Sequence, residues 1–229
     1  MRENTTPKDY KTKAYVLKRT NFGEADRILN LITPEGKVGA IARGARKEKS
    51  KLAGGIEIFS LVELNLHLGK SDLAVVTGAK LINYYDNILK DYGRTELAGR
   101  VLKTINRLAE HSDNPDHFKI VDQCLRALNA GVDSRLIRNW FILNSKKAKG
   151  EEVNLYRDTD GNRLTPDLSY IWDSNQEAFS QNEAGGFGAS EIKMLRILST
   201  SSLDTAARVK LSEELMAGVT DFVVALGDA

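Results

Sequence analysis

The chain has 229 residues, 41% of them hydrophobic, and its 33 Lys and Arg nearly balance 31 Asp and Glu to a formal net charge of +2. That apolar content supports a core and excludes wholesale disorder, while the small net charge excludes a histone-like polycation, so a polyanion site must come from local clustering. A single cysteine, Cys124, excludes an intrachain disulfide framework and a cysteine-based zinc site.

Residues 1–13 read as a polar tail with no apolar segment of the kind a secretion signal needs. A β-rich region follows. Residues 13–19 are the first strand candidate and 27–33 the second, ended by the turn signal Pro34-Glu-Gly36. Residues 37–43 are the third. In the fourth, Val62, Leu64, Leu66 and Leu68 alternate with Glu63, Asn65 and His67, the period of a half-buried strand. Residues 72–82 are the fifth. Five short strands with Gly-containing turns fit a small barrel, which leaves few bare edges, and the OB-fold is the commonest five-stranded solution.

From residue 90 the period becomes helical. Leu97, Val101, Ile105 and Leu108 share one face of a first helix. A second starts at Asn114-Pro115 and stops before Gly131, with Phe118, Val121, Leu125 and Leu128 as its apolar side. A third covers about 134–149, with Leu136, Trp140 and Leu143 inward and Lys146, Lys147 and Lys149 in its last turn, where cations suit the helix dipole. Residues from 150 to about 188 read as an irregular insert of turns and short strands. One helix over about 190–199 and another over about 203–226 close the chain, the latter burying Val209, Leu215, Val219, Phe222 and Leu226. The expected fold is α+β: a tail at 1–13, an OB barrel at 14–85, and a helical domain at 90–229 that carries the insert.

The densest charge lies between the third and fourth strands. Arg43, Arg46, Lys47, Lys49 and Lys51 place five cations in nine residues, with Glu48 the one acidic residue among them. A basic loop on a β domain can replace the counterions condensed on phosphates, and the released ions favour binding. The plainer reading is a solvated loop. Arg100, Lys103 and Arg107 lie opposite the apolar stripe of the first helix, as a second basic strip or as an ordinary wet face. Tyr15, Phe22 and Phe59 could stack on bases, at about 1–3 kcal/mol each, or fill the barrel core, which is the plainer assignment. Asp158-Thr-Asp-Gly-Asn162 has the wrong spacing for a calcium loop and reads as a polar turn. His111, His117 and Cys124 match no zinc pattern. There is no nucleophile elbow, P-loop or dinucleotide fingerprint, so the residues argue for binding and against catalysis.

Gly23, Glu24, Asp26 and Arg27, with the run from Ala14 that leads into them, resemble the opening of the RecO family of recombination mediators. The likeness continues through Thr33-Pro-Glu-Gly-Lys37, through Ala42-Arg-Gly-Ala-Arg-Lys-Glu-Lys-Ser50 and through Leu61-Val-Glu-Leu-Asn-Leu66, and covers roughly 14–145. It implies an N-terminal OB domain, a helical C-terminal domain and a part in recombinational DNA repair. The implied activities are binding of single- and double-stranded DNA, annealing of complementary strands and help in loading the recombinase. The implied partners are a RecR-like mediator and the C-terminal tail of single-strand-binding protein. It implies no catalytic residue. Many relatives carry a four-cysteine zinc module where this chain has its insert. Here the cysteines are absent, and the expectation is a metal-free module held by Tyr156, Trp172 and Phe187.

The resulting expectation is a non-enzymatic DNA-binding and strand-annealing mediator, cytoplasmic and nucleoid-associated, with no cofactor, no metal and no membrane contact. Its DNA-binding residues would be Arg19, Arg27, Arg43, Arg46, Lys47, Lys49 and Lys51, with Arg100, Lys103 and Arg107 as a secondary set. A protein-interaction adaptor and an RNA-binding OB-fold protein are the alternatives.

Overall fold

A computed structural model describes residues 8–69, 71–112 and 114–227. Five strands, β1 (Lys8–Phe22), β2 (Asp26–Thr33), β3 (Gly36–Ala42), β4 (Ser60–Leu68) and β5 (Ala74–Tyr84), close into a barrel in the order β1-β2-β3-β5-β4. β3 and β5 pair in parallel, and the other pairs are antiparallel. That is the OB arrangement anticipated from the strand count. Alternation sets the interior: Ala14, Val16, Leu29, Leu31, Ala40, Ala42, Val62, Leu64, Leu66 and Val76 form one buried cluster.

Two sequence expectations in this region need correction. β1 begins at Lys8, so residues 8–13 are strand where a polar tail was expected; residues 1–7 lie outside the described residues. Lys8 to Tyr15 pair with β4, and Lys11 on the wet face meets Glu63 at 2.8 Å. The polarity that suggested a tail is the outer face of a long strand. Tyr15 does not fill the barrel. It packs outside it under the second helix, where Phe118 lies 5.4 Å away ring to ring.

Helices α1 (Tyr92–Leu108) and α2 (Asp116–Ala130) belong with the barrel. The Tyr15 hydroxyl donates to Asp122 at 2.6 Å and lies 3.1 Å from the Tyr85 hydroxyl. Asn30 of β2 donates to Asn106 at 2.9 Å, and the Lys37 ammonium donates to the Asn106 carbonyl at 2.8 Å and to Glu110 at 3.0 Å. One compact unit therefore ends at Ala130 and the next begins at Gly131. The change from β to helical periodicity near residue 90 falls inside the first unit, because these polar ties fix both helices to the strands.

In the second unit, α3 (Ser134–Lys149), α4 (Ala189–Thr200) and α6 (Glu213–Ala225) pack together, with a one-turn helix α5 (Leu203–Ala206) between the last two. Asn139 donates to Thr220 at 2.9 Å and Trp140 to the Ser201 carbonyl at 2.9 Å. The single closing helix expected over 203–226 is in fact α5 and α6. The Ser212 hydroxyl caps α6 by accepting the Leu215 N–H at 3.2 Å, and Glu213 and Glu214 fill the first turn, as the helix dipole favours. Val209, in the connection, and Leu215 and Leu226 are only partly buried; the buried side of α6 is Met216, Val219, Phe222 and Val223.

The insert forms a hairpin of β6 (Tyr170–Asp173) and β7 (Ala178–Gln181). Its core is aromatic: Trp172, Phe179 and Phe187 surround Phe222 of α6 at centroid distances of 5.1–5.5 Å. Trp172 and Phe187 thus hold the module as expected, but Tyr156 is 55% exposed and does not. Gly185 lies against Tyr170, where any Cβ would stand 2.2 Å from the Tyr170 carbonyl oxygen. The insert contains neither cysteine nor histidine, and among the described residues no three His, Cys, Asp or Glu side chains gather as a metal site. Closely packed aromatic rings occupy the centre of the module, so the residues present do not fit a zinc ion.

Candidate nucleic-acid interface

The basic loop leaves β3 at Ala42 and is fastened to the barrel at several points. The Asp26 carboxylate accepts the Gly44 N–H at 2.7 Å. The Arg46 N–H donates to the Ala25 carbonyl at 2.8 Å, and its guanidinium reaches the Gly23 carbonyl at 3.2 Å. Ala45, within the cationic run, and Ile56, beyond its end, are buried in the barrel cluster. Successive turns join Lys47 to Gly44 and Ser50 to Lys47. A flexible arm would lose conformational entropy on meeting a ligand. This loop has already lost much of it on folding.

Burial divides the cations into two groups. Arg43, Arg46, Lys47, Lys49 and Lys51 are exposed, and among the described residues none of them forms an ion pair. Arg19 and Arg27 instead converge beneath the loop on Glu57, at 2.5 and 3.7 Å. Their positive charge is half neutralised by one carboxylate, and they tie the segment that returns from the loop to β4. The structure thus brings the sequence-derived set to one end of the barrel in two roles, five presented cations and two anchoring ones.

Phe22 belongs to this end as well. It is the last residue of β1, paired with Asp26 across the turn, and is 53% exposed rather than in the core. It lies past the point where the barrel interior closes. Phe59 is half-buried. The signal available in the sequence was an aromatic directly before Gly23, where a strand turns and its side chain runs out of partners.

The secondary strip is separate. Arg100 pairs with Glu96 at 3.4 Å, Lys103 is exposed, and Arg107 is exposed but engaged. The fixed points of α1 on the barrel are Asn30 and Lys37. Asn30 lies three residues along β2 from Arg27, roughly 10 Å at strand rise. The strip is therefore a neighbouring patch and no part of the loop.

Two family models divide the chain between them. "Recombination protein O N terminal" matches residues 8–85, and "Recombination protein O C terminal" matches residues 89–226. The chain belongs to the RecO family. Curated relatives agree. A protein named "DNA repair protein RecO" from Roseiflexus sp. (strain RS-1) is 30% identical over 220 residues, spanning 89% of this chain and 74% of that protein. Another of the same name from Dehalococcoides mccartyi (strain CBDB1) is 28% identical over 220 residues, spanning 93% of this chain and 87% of its own length. The RecO N-terminal match ends where the barrel ends, although α1 and α2 pack with the barrel in the structure.

Proposed function

We propose that this chain is a non-enzymatic DNA-binding and strand-annealing mediator in recombinational repair. Membership of the RecO family and the names of its relatives support the repair role. The observation that carries the binding site is the fastened loop, which presents five locally unpaired cations beside an exposed Phe22 on an OB barrel. Arg43, Arg46, Lys47, Lys49 and Lys51 neutralise phosphates on single- or double-stranded DNA, and Arg19 and Arg27 hold the loop that does so. Two complementary strands brought to one basic surface repel each other less, and bases left outside the contact are free to pair. At about −0.7 in log–log slope per phosphate for single strands, five contacts contribute about −3.5 to the salt dependence. Arg100, Lys103 and Arg107 extend the path as a weaker second patch.

Loading a recombinase in this role would involve a RecR-like mediator and the C-terminal tail of single-strand-binding protein. The insert acts without metal, so metal analysis of the purified chain should find no stoichiometric zinc. The direct test of the function is annealing of complementary oligonucleotides at low salt by the native chain and by a variant with Ala at all five loop positions. Strong annealing by the native chain, lost in the variant, is expected. Equal annealing by both removes the loop from the mechanism.

A further inference from the structure

Two arginines face each other in the insert of the second unit. Arg157 and Arg163 form an isolated antiparallel bridge, closed by a turn in which the Asp158 carboxylate accepts the N–H groups of Asp160 at 3.0 Å and Asn162 at 2.8 Å. Directly opposed residues of such a pair share one face, with Cβ atoms about 4.5–5.5 Å apart, and like charges there repel. A third guanidinium joins them. Arg196 of α4 donates from Nε to the Leu155 carbonyl at 2.9 Å and lies over the Tyr156 ring, 4.9 Å from its centroid. Together with Leu164 these side chains line an open cavity of about 350 Å³. The Arg157 guanidinium also donates to the Gly161 carbonyl at 2.7 Å. Among the described residues, none of the three arginines has a carboxylate partner.

Three converging cations without a counter-charge raise the energy of the free protein, and an anion that enters relieves it. Guanidinium forks match phosphate oxygens two by two. The cavity is within the range of small-ligand sites, yet open enough to admit part of a chain. Tyr156 is 55% exposed even with the Arg196 guanidinium over its ring, so ring surface beside the anion position is open to a base. An acidic peptide offers carboxylates with a ring only where an aromatic residue happens to fall, whereas every nucleotide of a nucleic-acid strand carries both anion and ring.

We propose that this cleft is a second contact site for single-stranded DNA, with two neighbouring phosphates held by Arg157, Arg163 and Arg196 and a base set against Tyr156. It rests on the reading of the chain as a DNA-binding protein and adds a site in the insert of the second unit.

The test uses the full chain and a single-stranded oligonucleotide carrying 5-iodouracil, with the photo-crosslinked residue mapped by mass spectrometry and affinity measured against salt. A crosslink at Tyr156 is expected. Arg157→Gln with Arg163→Gln should reduce the magnitude of the log–log salt slope by about 1.4, from roughly 0.7 per phosphate. Arg163→Gln alone breaks no hydrogen bond among the described residues, so it keeps the test open if the double variant folds poorly, and it should reduce the slope by about 0.7. Tyr156→Ala should weaken binding at least about fivefold, the lower end of base stacking. Thymidine monophosphate and poly-aspartate serve as competitors. If either removes the Tyr156 crosslink while most of the oligonucleotide stays bound, the cleft belongs to a free nucleotide or an acidic peptide, and the proposal is overturned. If the native chain binds, the five-alanine loop variant binds less, and the arginine variants keep the native slope with no crosslink at Tyr156, the cleft alone is overturned. If the native chain binds no single strand, the cleft and the function beneath it fall together.

Discussion

Replacing Asp26 with alanine removes the tie that fastens the basic loop to the β1–β2 turn. Its carboxylate accepts the Gly44 N–H at 2.7 Å in a partly buried setting. A hydrogen bond to a charged group contributes about 1.5–3 kcal/mol, and partial solvent access puts this one near the lower end. Urea unfolding of Asp26→Ala should therefore show a loss of about 1.5 kcal/mol. The effect on DNA needs a control, because removing an acidic group beside a basic loop also strengthens phosphate binding. Asp26→Asn is that control, since it loses the charge and keeps an acceptor oxygen. If unfastening leaves one or two long side chains to be ordered on binding, each costs about 0.5–1.5 kcal/mol. Asp26→Ala should then bind single strands at least about twofold more weakly than Asp26→Asn in fluorescence anisotropy, the lower end of that cost. Their salt slopes should match, because the cations are the same. Equal stability and equal affinity of the two variants would refute the claim that the loop is pre-organised by this contact.

Three further outcomes follow from the packing. Tyr15→Phe strips a hydroxyl from the Tyr15–Tyr85–Asp122 group and should cost about 1–2 kcal/mol in urea unfolding, because buried polar atoms lose their partner. Gly55→Ala would put a Cβ 2.6 Å from that of Ala79 and 2.9 Å from its backbone carbon, so thermal melting should show a loss of about 1–3 kcal/mol from overpacking. Burial holds the His117 imidazole below its ordinary pKa against the opposing pull of Asp116. The unfolded chain therefore takes up a proton below about pH 6.5 that the folded chain refuses, so stability is full above that pH and declines as pH falls beneath it. His117→Gln should flatten that part of the stability–pH curve.

Local signals carried much of the fold. The alternation from Val62 to Leu68 appears as β4, and the span read for the third helix coincides with α3. What stayed hidden depends on distant residues. Lys8 to Lys13 looks like a tail until Glu63 and the rest of β4 lie beside it. Tyr15 turns away from the interior because α2 offers it Asp122, 107 residues on. The break before α6 was legible, since Ser212-Glu-Glu is a helix start, but the apolar spacing across it suggested continuity. At the site, cation density along the chain found the loop. The contacts that fix it, Asp26 to Gly44 and Arg19 to Glu57, span 18 and 38 residues and leave no local pattern. The Arg157, Arg163 and Arg196 cluster was equally invisible, because one member comes from a helix and two from an isolated bridge closed by a turn.

The most direct test of the central claim is the salt dependence of single-strand affinity for the native chain and for the variant with Ala at positions 43, 46, 47, 49 and 51. If the loop neutralises phosphates, the two log–log slopes should differ by about 3.5, from roughly 0.7 for each of the five cations. Parallel lines would contradict the account and leave the loop as solvated surface.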